Sequence, residues 1–503
     1  MKKSEIVKST TGKLRGYLEK GLHIFKGIPY AQPPIGDLRF RNPVEKEPWE
    51  GILEAIEFGC IPPQPYIPAS SVRDHPQNED CLTLNIWTPA CDNENRPVMF
   101  WIHGGGFYYG GAPSPRYNGE FLSQRGNVCV ISINYRLGAL GNLYVPDKVS
   151  NLGFIDQFTA LKWIYDNIKN FGGDPNNITI FGESAGSTAV CTLLSMPLAK
   201  PLIRRAICQS GALEPQGHHP EGGLLVSKKL FSRMNIKMGD IDALRKISVE
   251  KLIEKENEIR MENWLKGDFP GYPPTIDENK VPEHPLLAIK NGASKNVDLL
   301  IGTNLNEWTF FSMLTPELQK MDWNGLTEYI NKSLSSFNPD IKQVEKLINS
   351  FKHSGNNPFE VLNAISTELT FRYPSIKVAE AQSKHNNNTY MYLFTYRTPA
   401  LGGVHGATHA LEIPFVFGTL DDTEFGVYPK RDEINTKISE IMMDSWISFT
   451  RSGDPNHDGI IEWPTYDIDN RYTLLFGNEN KVEKDPLGAE RVALEEITNN
   501  YRS

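Results

Sequence analysis

What this chain of 503 residues lacks narrows its chemistry before any motif is read. No stretch approaches the roughly 18 consecutive apolar residues that a membrane-spanning helix requires. Six cysteines are present, Cys60, Cys81, Cys91, Cys129, Cys191 and Cys208, and no two stand as C-x-x-C, the spacing of zinc ribbons and thiol redox motifs. Positive charge is in deficit: 52 Lys and Arg face 61 Asp and Glu, for a net charge of −9. Such a chain repels phosphate backbones and anionic lipid, so neither nucleic acid nor a membrane surface is an expected partner. Internal repeats, low-complexity tracts and long linkers are absent. Two lysines follow Met1 without an apolar segment behind them, so the start does not read as a secretory signal, and a cytoplasmic location is expected.

What is present is ordinary for a globular protein: 39% hydrophobic and 22% charged residues. The length suits one large α/β domain or two to three smaller ones. Runs at 96–105, 127–137, 177–184, 203–211, 296–304 and 389–397 are apolar nearly throughout, as strands covered on both faces are. Cys129 lies in one such run, Cys191 and Cys208 in similarly apolar stretches, and all three read as small buried hydrophobes. Between several runs lie helical patterns. Residues 151–175 are periodic and end in Gly-Gly-Asp-Pro, a stop signal. Alternation of this kind predicts a mostly parallel sheet with helices on both faces. Residues 310–385 read as a mostly helical cap region added to that sheet within a single domain, sharing its core.

Sites in such sheets lie at the carboxyl ends of the strands, and the glycine clusters fall there. Gly182-Glu183-Ser184-Ala185-Gly186 follows an apolar strand and opens a helix of small residues. A serine on so tight a turn has its hydroxyl lifted clear of the sheet, and the crowding requires glycine two residues to either side. No other serine in the chain has glycines at both positions. His103-Gly104-Gly105-Gly106-Phe107 ends an earlier strand. Read as a phosphate loop it fails, because neither G-x-x-x-x-G-K-[ST] nor G-x-G-x-x-G leads into a helix there. Read as an oxyanion loop it fits, since glycines let backbone N–H groups approach a developing negative charge. A serine nucleophile also needs a base and an acid, which follow it in the order Ser, Asp or Glu, His in hydrolases of this plan. His405 and His409 both qualify, and spacing does not choose between them. Glu307, just past a strand, is one well-placed acid among several.

These residues closely resemble the type-B carboxylesterases, the α/β-hydrolase group that includes bacterial p-nitrobenzyl-esterase-like enzymes and the cholinesterases. The resemblance covers nearly the whole chain, through "NEDCLTLNIWTP", "WIHGGGF", "NYRLGALG", "FGGDPNNITIFGESAG", "LLIGTNLNE" and "THALEIPFVFG". It implies an α/β-hydrolase fold and a serine carboxylesterase acting on small ester molecules as a monomer, with neither metal nor cofactor. It implies Ser184, His409 and Glu307 as the catalytic residues, and Gly105, Gly106 and Ala185 as the oxyanion donors. It further implies ion pairs of Arg39 with Glu79 and of Arg136 with Asp174. Cys60 and Cys81 match the family's extracellular disulfide, while the expected reducing location leaves them as thiols; both states stay open. Two departures concern substrate. Trp308 stands after the acid, where a small residue is usual. The loop from Cys60 to Cys81 contains Tyr66 but no tryptophan to hold a quaternary ammonium, which argues against choline esters. Glu183, beside the serine, either shapes the field and positions water or makes a structural hydrogen bond. Phe107, Tyr108, Trp264, Trp308 and Phe311 are candidates for the pocket wall. The filled triad positions argue against a non-catalytic binding protein on the same fold, while thioester or amide hydrolysis is compatible with the same residues.

Overall fold

Runs of β-branched and aromatic residues buried on both sides dictate the centre of the fold. The computed structural model describes residues 2–498 apart from 69, 212–218, 266–271, 273, 278 and 422–425, and the Trp264 side chain also lies outside the described residues. Among these, one sheet holds Lys2–Ser9 (β1), Gly12–Glu19 (β2), Leu22–Pro29 (β3), Ile52–Glu54 (β4), Thr83–Thr88 (β5), Arg96–Ile102 (β6), Cys129–Ile133 (β7), Gly173–Glu183 (β8), Arg205–Gln209 (β9), Asp298–Asn304 (β10), Thr389–Phe394 (β11), Tyr472–Phe476 (β12) and Lys481–Lys484 (β13). The order is β1-β2-β3-β5-β7-β6-β8-β9-β10-β11-β12-β13, with β4 beside β2. From β7 to β12 every pairing is parallel. The flanks, β1-β2-β3-β5-β7 on one side and β13 on the other, are antiparallel, and β4 alone joins β2 in parallel. Here the sheet exceeds the expectation: β1, "KKSEIVKS", and β2, "GKLRGYLE", are too charged to show an apolar run, because only one of their faces is covered.

Alternate residues of the central strands enter two separate apolar layers. Phe100, Ile131, Ile180 and Ile301 face one layer; Met99, Trp101, Phe181 and Leu300 face the other. The first is covered by helices Leu152–Asn167, Ala185–Ser195 and Tyr373–Ser383, the second by Glu433–Ser452 and Ile413–Phe417. Residues 310–385 are largely helical, but they do not share one core with the sheet throughout. Leu326, Ile330, Val344, Leu347, Val361 and Ile365 form a third cluster, closed by Leu494 and Ile497 of the last helix, whereas Ile376 and Val378 pack on the sheet layer. Helix Ile341–Ser350 is amphipathic and finds its apolar partner in that C-terminal helix rather than in a strand.

Two expectations are corrected. The helical pattern of 151–171 holds, as helix Leu152–Asn167 and a 3-10 turn Ile168–Phe171 that stops at Gly172 as read, but β8 has begun by Gly173, four residues before the start at 177 read from its apolar run. Gly172, at φ +82°, makes the turn that separates them. Arg136 does not pair with Asp174. Its guanidinium holds Asp156, Nε to Oδ2 at 2.8 Å and Nη2 to Oδ1 at 2.7 Å, both side chains buried. Arg136 follows the carboxyl end of β7, while Asp174 opens β8, and in a parallel sheet those are opposite edges. Arg39 does hold Glu79, with Nε to Oε2 at 2.7 Å. Cys60 and Cys81 are free thiols, the first half-buried and the second buried.

Candidate active site

Strand β8 ends on a strained turn. Ser184 sits at φ +56°, ψ −123°, a conformation costly for any residue with a Cβ, and its amide donates to the Gln209 carbonyl at 2.9 Å. Helix Ala185–Ser195 departs at once. The flanking glycines are a steric demand. A Cβ on Gly186 would stand 2.0 Å from the Ile102 carbonyl oxygen at the end of β6, and one on Gly182 would stand 2.6 Å from the Gly186 backbone. A third glycine, Gly211, is required from the next strand: its Cβ would meet the Ser184 carbonyl at 2.2 Å.

The triple glycine lies against this turn. A Cβ on Gly104 would meet Ser184 Cβ at 3.1 Å and Glu183 Oε2 at 2.8 Å. Gly105 at φ +107° and Gly106 at φ +61° take left-handed conformations. Among the described residues, the amides of Gly105, Gly106 and Ala185 donate to no protein acceptor. The loop is braced from behind. Buried His103 donates from Nδ1 to the Gly104 carbonyl at 2.8 Å and stacks on Tyr135, and burial lowers its imidazole to about 4, so it is neutral. Gly138 donates its amide to the Phe107 carbonyl at 2.7 Å, and the buried Glu256 carboxylate accepts from the Ala139 amide at 3.2 Å.

The two histidines separate by environment. His409 Nδ1 donates to Glu307 Oε2 at 2.7 Å, while Glu307 Oε1 accepts from the Asn304 amide at 2.6 Å. His405 reaches neither; its Nδ1 is buried without a partner among the described residues, and burial lowers its pKa. The Nε2 side of His409 faces Glu183 Oε1 at 3.1 Å, close but out of line for a hydrogen bond. Burial pushes Glu183 up to about 8, against the opposing pull of His409. Burial also pulls His409 down, but the charges of Glu183 and Glu307 outweigh it and raise His409 to about 9. The two groups therefore compete for a proton and titrate as a pair.

Behind this pair is a polar network that spacing did not single out. Asn304 donates from Nδ2 to Glu412 Oε2 and to the Thr408 carbonyl, both at 2.7 Å. Gln209 donates to Glu412 Oε1 at 3.1 Å and accepts from Trp446 Nε1 at 3.0 Å. Burial raises the Glu412 carboxyl. The available signal was proximity in sequence: Asn304 shares "GTNLNE" with Glu307, and Glu412 shares "THALEIPF" with His409. Of the expected wall residues, Phe311 packs near His409, with ring centroids 5.1 Å apart. Phe107 turns away onto Phe154, Tyr108 packs on Tyr272, and Trp308 is buried against Phe311.

The sequence pattern of the carboxylesterase family matches residues 3–494. The chain belongs to that family. The esterase is 36% identical to para-nitrobenzyl esterase of Bacillus subtilis over 97% of its own length and 98% of the relative's. It is 34% identical to phenmedipham hydrolase of Pseudarthrobacter oxydans, again over 97% and 98%. A solved carboxylesterase of Geobacillus stearothermophilus superposes with a TM-score of 0.87 at 35% identity, covering 97% of this chain and 99% of that one. The protein is thus a carboxylic ester hydrolase on an α/β-hydrolase fold. No helix among its described residues is long and apolar enough to cross a membrane.

Proposed function

We propose that this esterase cleaves its ester through an acyl-enzyme on Ser184, with His409 as base and Glu307 as the residue that orients it. The observation that carries the reading is the buried Glu307–His409 hydrogen bond of 2.7 Å, on an imidazole whose Nε2 lies 3.1 Å from Glu183, the residue before a serine held at positive φ. Ser184 Oγ attacks the ester carbonyl while His409 Nε2 takes its proton. The same proton then goes to the leaving alcohol. Glu307, accepting from Nδ1, keeps the imidazole in the useful tautomer and stabilises its charged form. The amides of Gly105, Gly106 and Ala185 stabilise the oxyanion. Water, deprotonated by His409, releases the acid by the reverse steps. A phosphonate ester that traps serine hydrolases tests this directly: peptide mass spectrometry should find a single adduct, on Ser184, and an adduct on another residue overturns the assignment.

Gly106→Pro should lower kcat by at least about 100-fold, the cost of one oxyanion donor. Proline lacks the amide and cannot adopt the φ of +61° found there. A near-normal kcat in that variant would remove Gly106 from the oxyanion hole.

Glu183 governs when the base is available. A proton on Nε2 must leave before His409 can accept that of Ser184, and the Glu183 charge holds it there. Glu183→Gln removes that charge. The acid limb of the kcat/KM profile should then move to lower pH, by about one unit or more, toward the ordinary imidazole value near 6.5. A limb that stays in place would show that Glu183 acts only as packing.

Neutral small esters are the substrate class, with p-nitrobenzyl esters as the first choice given the named relative. Rates on the oxygen ester, thioester and amide of one acyl group rank the three chemistries. The chain acts as a monomeric single domain in the cytoplasm, with residues 310–385 as its mostly helical cap.

A further inference from the structure

A second cluster of reactive side chains lies at the other end of the sheet. Glu5 on β1, His23 on β3 and Cys91 in the link from β5 to β6 each offer one donor atom, and these atoms lie within 4.8 Å of one another. Cys91 Sγ is 3.9 Å from His23 Nδ1, and Glu5 Oε1 is 4.0 Å from the same nitrogen. That convergence separates the cluster from a catalytic arrangement. A triad divides its partners between the two imidazole nitrogens, as a base must. Here thiol and carboxylate meet on one nitrogen, the geometry of ligands around a common centre. With metal–donor bonds of about 2.0 to 2.3 Å, neighbouring donors around a tetrahedral zinc stand roughly 3.3 to 3.6 Å apart. Small side-chain rotations close the difference.

The backbone brings the three donors together. His23 pairs with Thr88 across β3 and β5, which puts it beside the link that carries Cys91. That link is anchored: the Ala90 carbonyl accepts from Thr88 Oγ1 and from Arg96 Nη1, each at 3.2 Å. The register of β1 against β2 shifts between Lys3 and Ile6, the span that holds Glu5, and a bulge of this kind re-aims a side chain. Nearby Arg96 is neutralised by Asp92 and Glu94, at 2.5 and 3.0 Å, so it does not repel a cation as a free charge would. His23 is largely shielded and Glu5 is exposed, which leaves an entry side and room for water as a fourth ligand.

We propose that Glu5, His23 and Cys91 form a binding site for a divalent transition metal of the zinc class. Sulfur, nitrogen and oxygen donors in one set suit zinc and cobalt(II) over magnesium or calcium. The metal would tie edge strand β1, across β2, to β3 and to the β5–β6 link. It would take no part in ester cleavage. Cys91 precedes β6 and the glycine loop follows it, so seven strand residues, about 23 Å at roughly 3.3 Å each, separate them.

The test is a titration of the reduced, chelator-treated full-length protein with cobalt(II). A thiolate-to-cobalt charge-transfer band should appear, saturate at one equivalent and vanish on addition of zinc. Cys91→Ser should abolish the band, and His23→Gln should weaken cobalt binding at least about 10- to 100-fold. Both variants should keep normal turnover of a p-nitrophenyl ester, which also reports that they are folded. Absence of the band in the wild type overturns the proposal, as does a band that persists in Cys91→Ser. Should Cys91→Ser fail to fold, unchanged cobalt affinity in His23→Gln overturns it alone.

Discussion

Ser184→Ala is expected to lower turnover of a short p-nitrophenyl ester by about 10⁴- to 10⁶-fold, the loss measured when a triad nucleophile is removed. The fold should survive the change. The strain at φ +56° comes from having a Cβ at all, and alanine has the same Cβ as serine. Ser184 is only half-buried, and its amide bond to Gln209 involves backbone alone. Far-ultraviolet circular dichroism and Tm should therefore match the wild type. A folded variant with that loss makes Ser184 the nucleophile. Unchanged turnover in a folded variant would mean that hydrolysis arises elsewhere and would remove the serine mechanism.

The second large effect separates two histidines four residues apart. His409→Ala should cost turnover about as much as the serine change, on the order of 10⁴-fold or more, because members of a triad act as a unit. It should also lower stability. Glu307 would keep the Asn304 amide but lose its bond to the imidazole while fully buried, at a cost of about 1 to 3 kcal/mol. His405→Ala should stay within about tenfold of wild-type turnover, since its ring makes no bond to Glu307 and only its carbonyl accepts, from Thr309 Oγ1 at 2.7 Å. The opposite outcome, an inactive His405 variant and an active His409 variant, would reassign the base. His409→Gln, nearer in volume and polarity, serves if the alanine variant does not fold.

The local sequence was enough for those features whose cause is local. Glycines at 182 and 186 around Ser184 state a steric condition that one tight turn imposes, and they can be read without knowing what the turn packs against. The same holds for the triple glycine and for the apolar strand runs, whose burial on both faces is written in composition alone. Helix and strand boundaries were less legible, because Gly-Gly-Asp-Pro marks the end of a helix but not that the next strand begins within it. The outermost antiparallel strands β1 and β2 show no apolar run, because each has one wet face.

Tertiary structure decided whatever joins distant positions. His409 and Glu307 are 102 residues apart, and spacing left His405 as good a candidate; their hydrogen bond separates the two. Arg136 takes Asp156 because parallel strands carry Asp174 to the opposite edge of the sheet. The contest between Glu183 and His409 for a proton, and the Asn304–Glu412–Gln209–Trp446 network behind it, arise from burial and approach of groups on different strands. Neither has a signature along the chain. The sequence by itself determined the class of chemistry, since that rests on residue types in short contiguous motifs. The charge state of His409 and its choice of partner were left to the fold, because both depend on distances and on exclusion of water, which exist only once the sheet has closed.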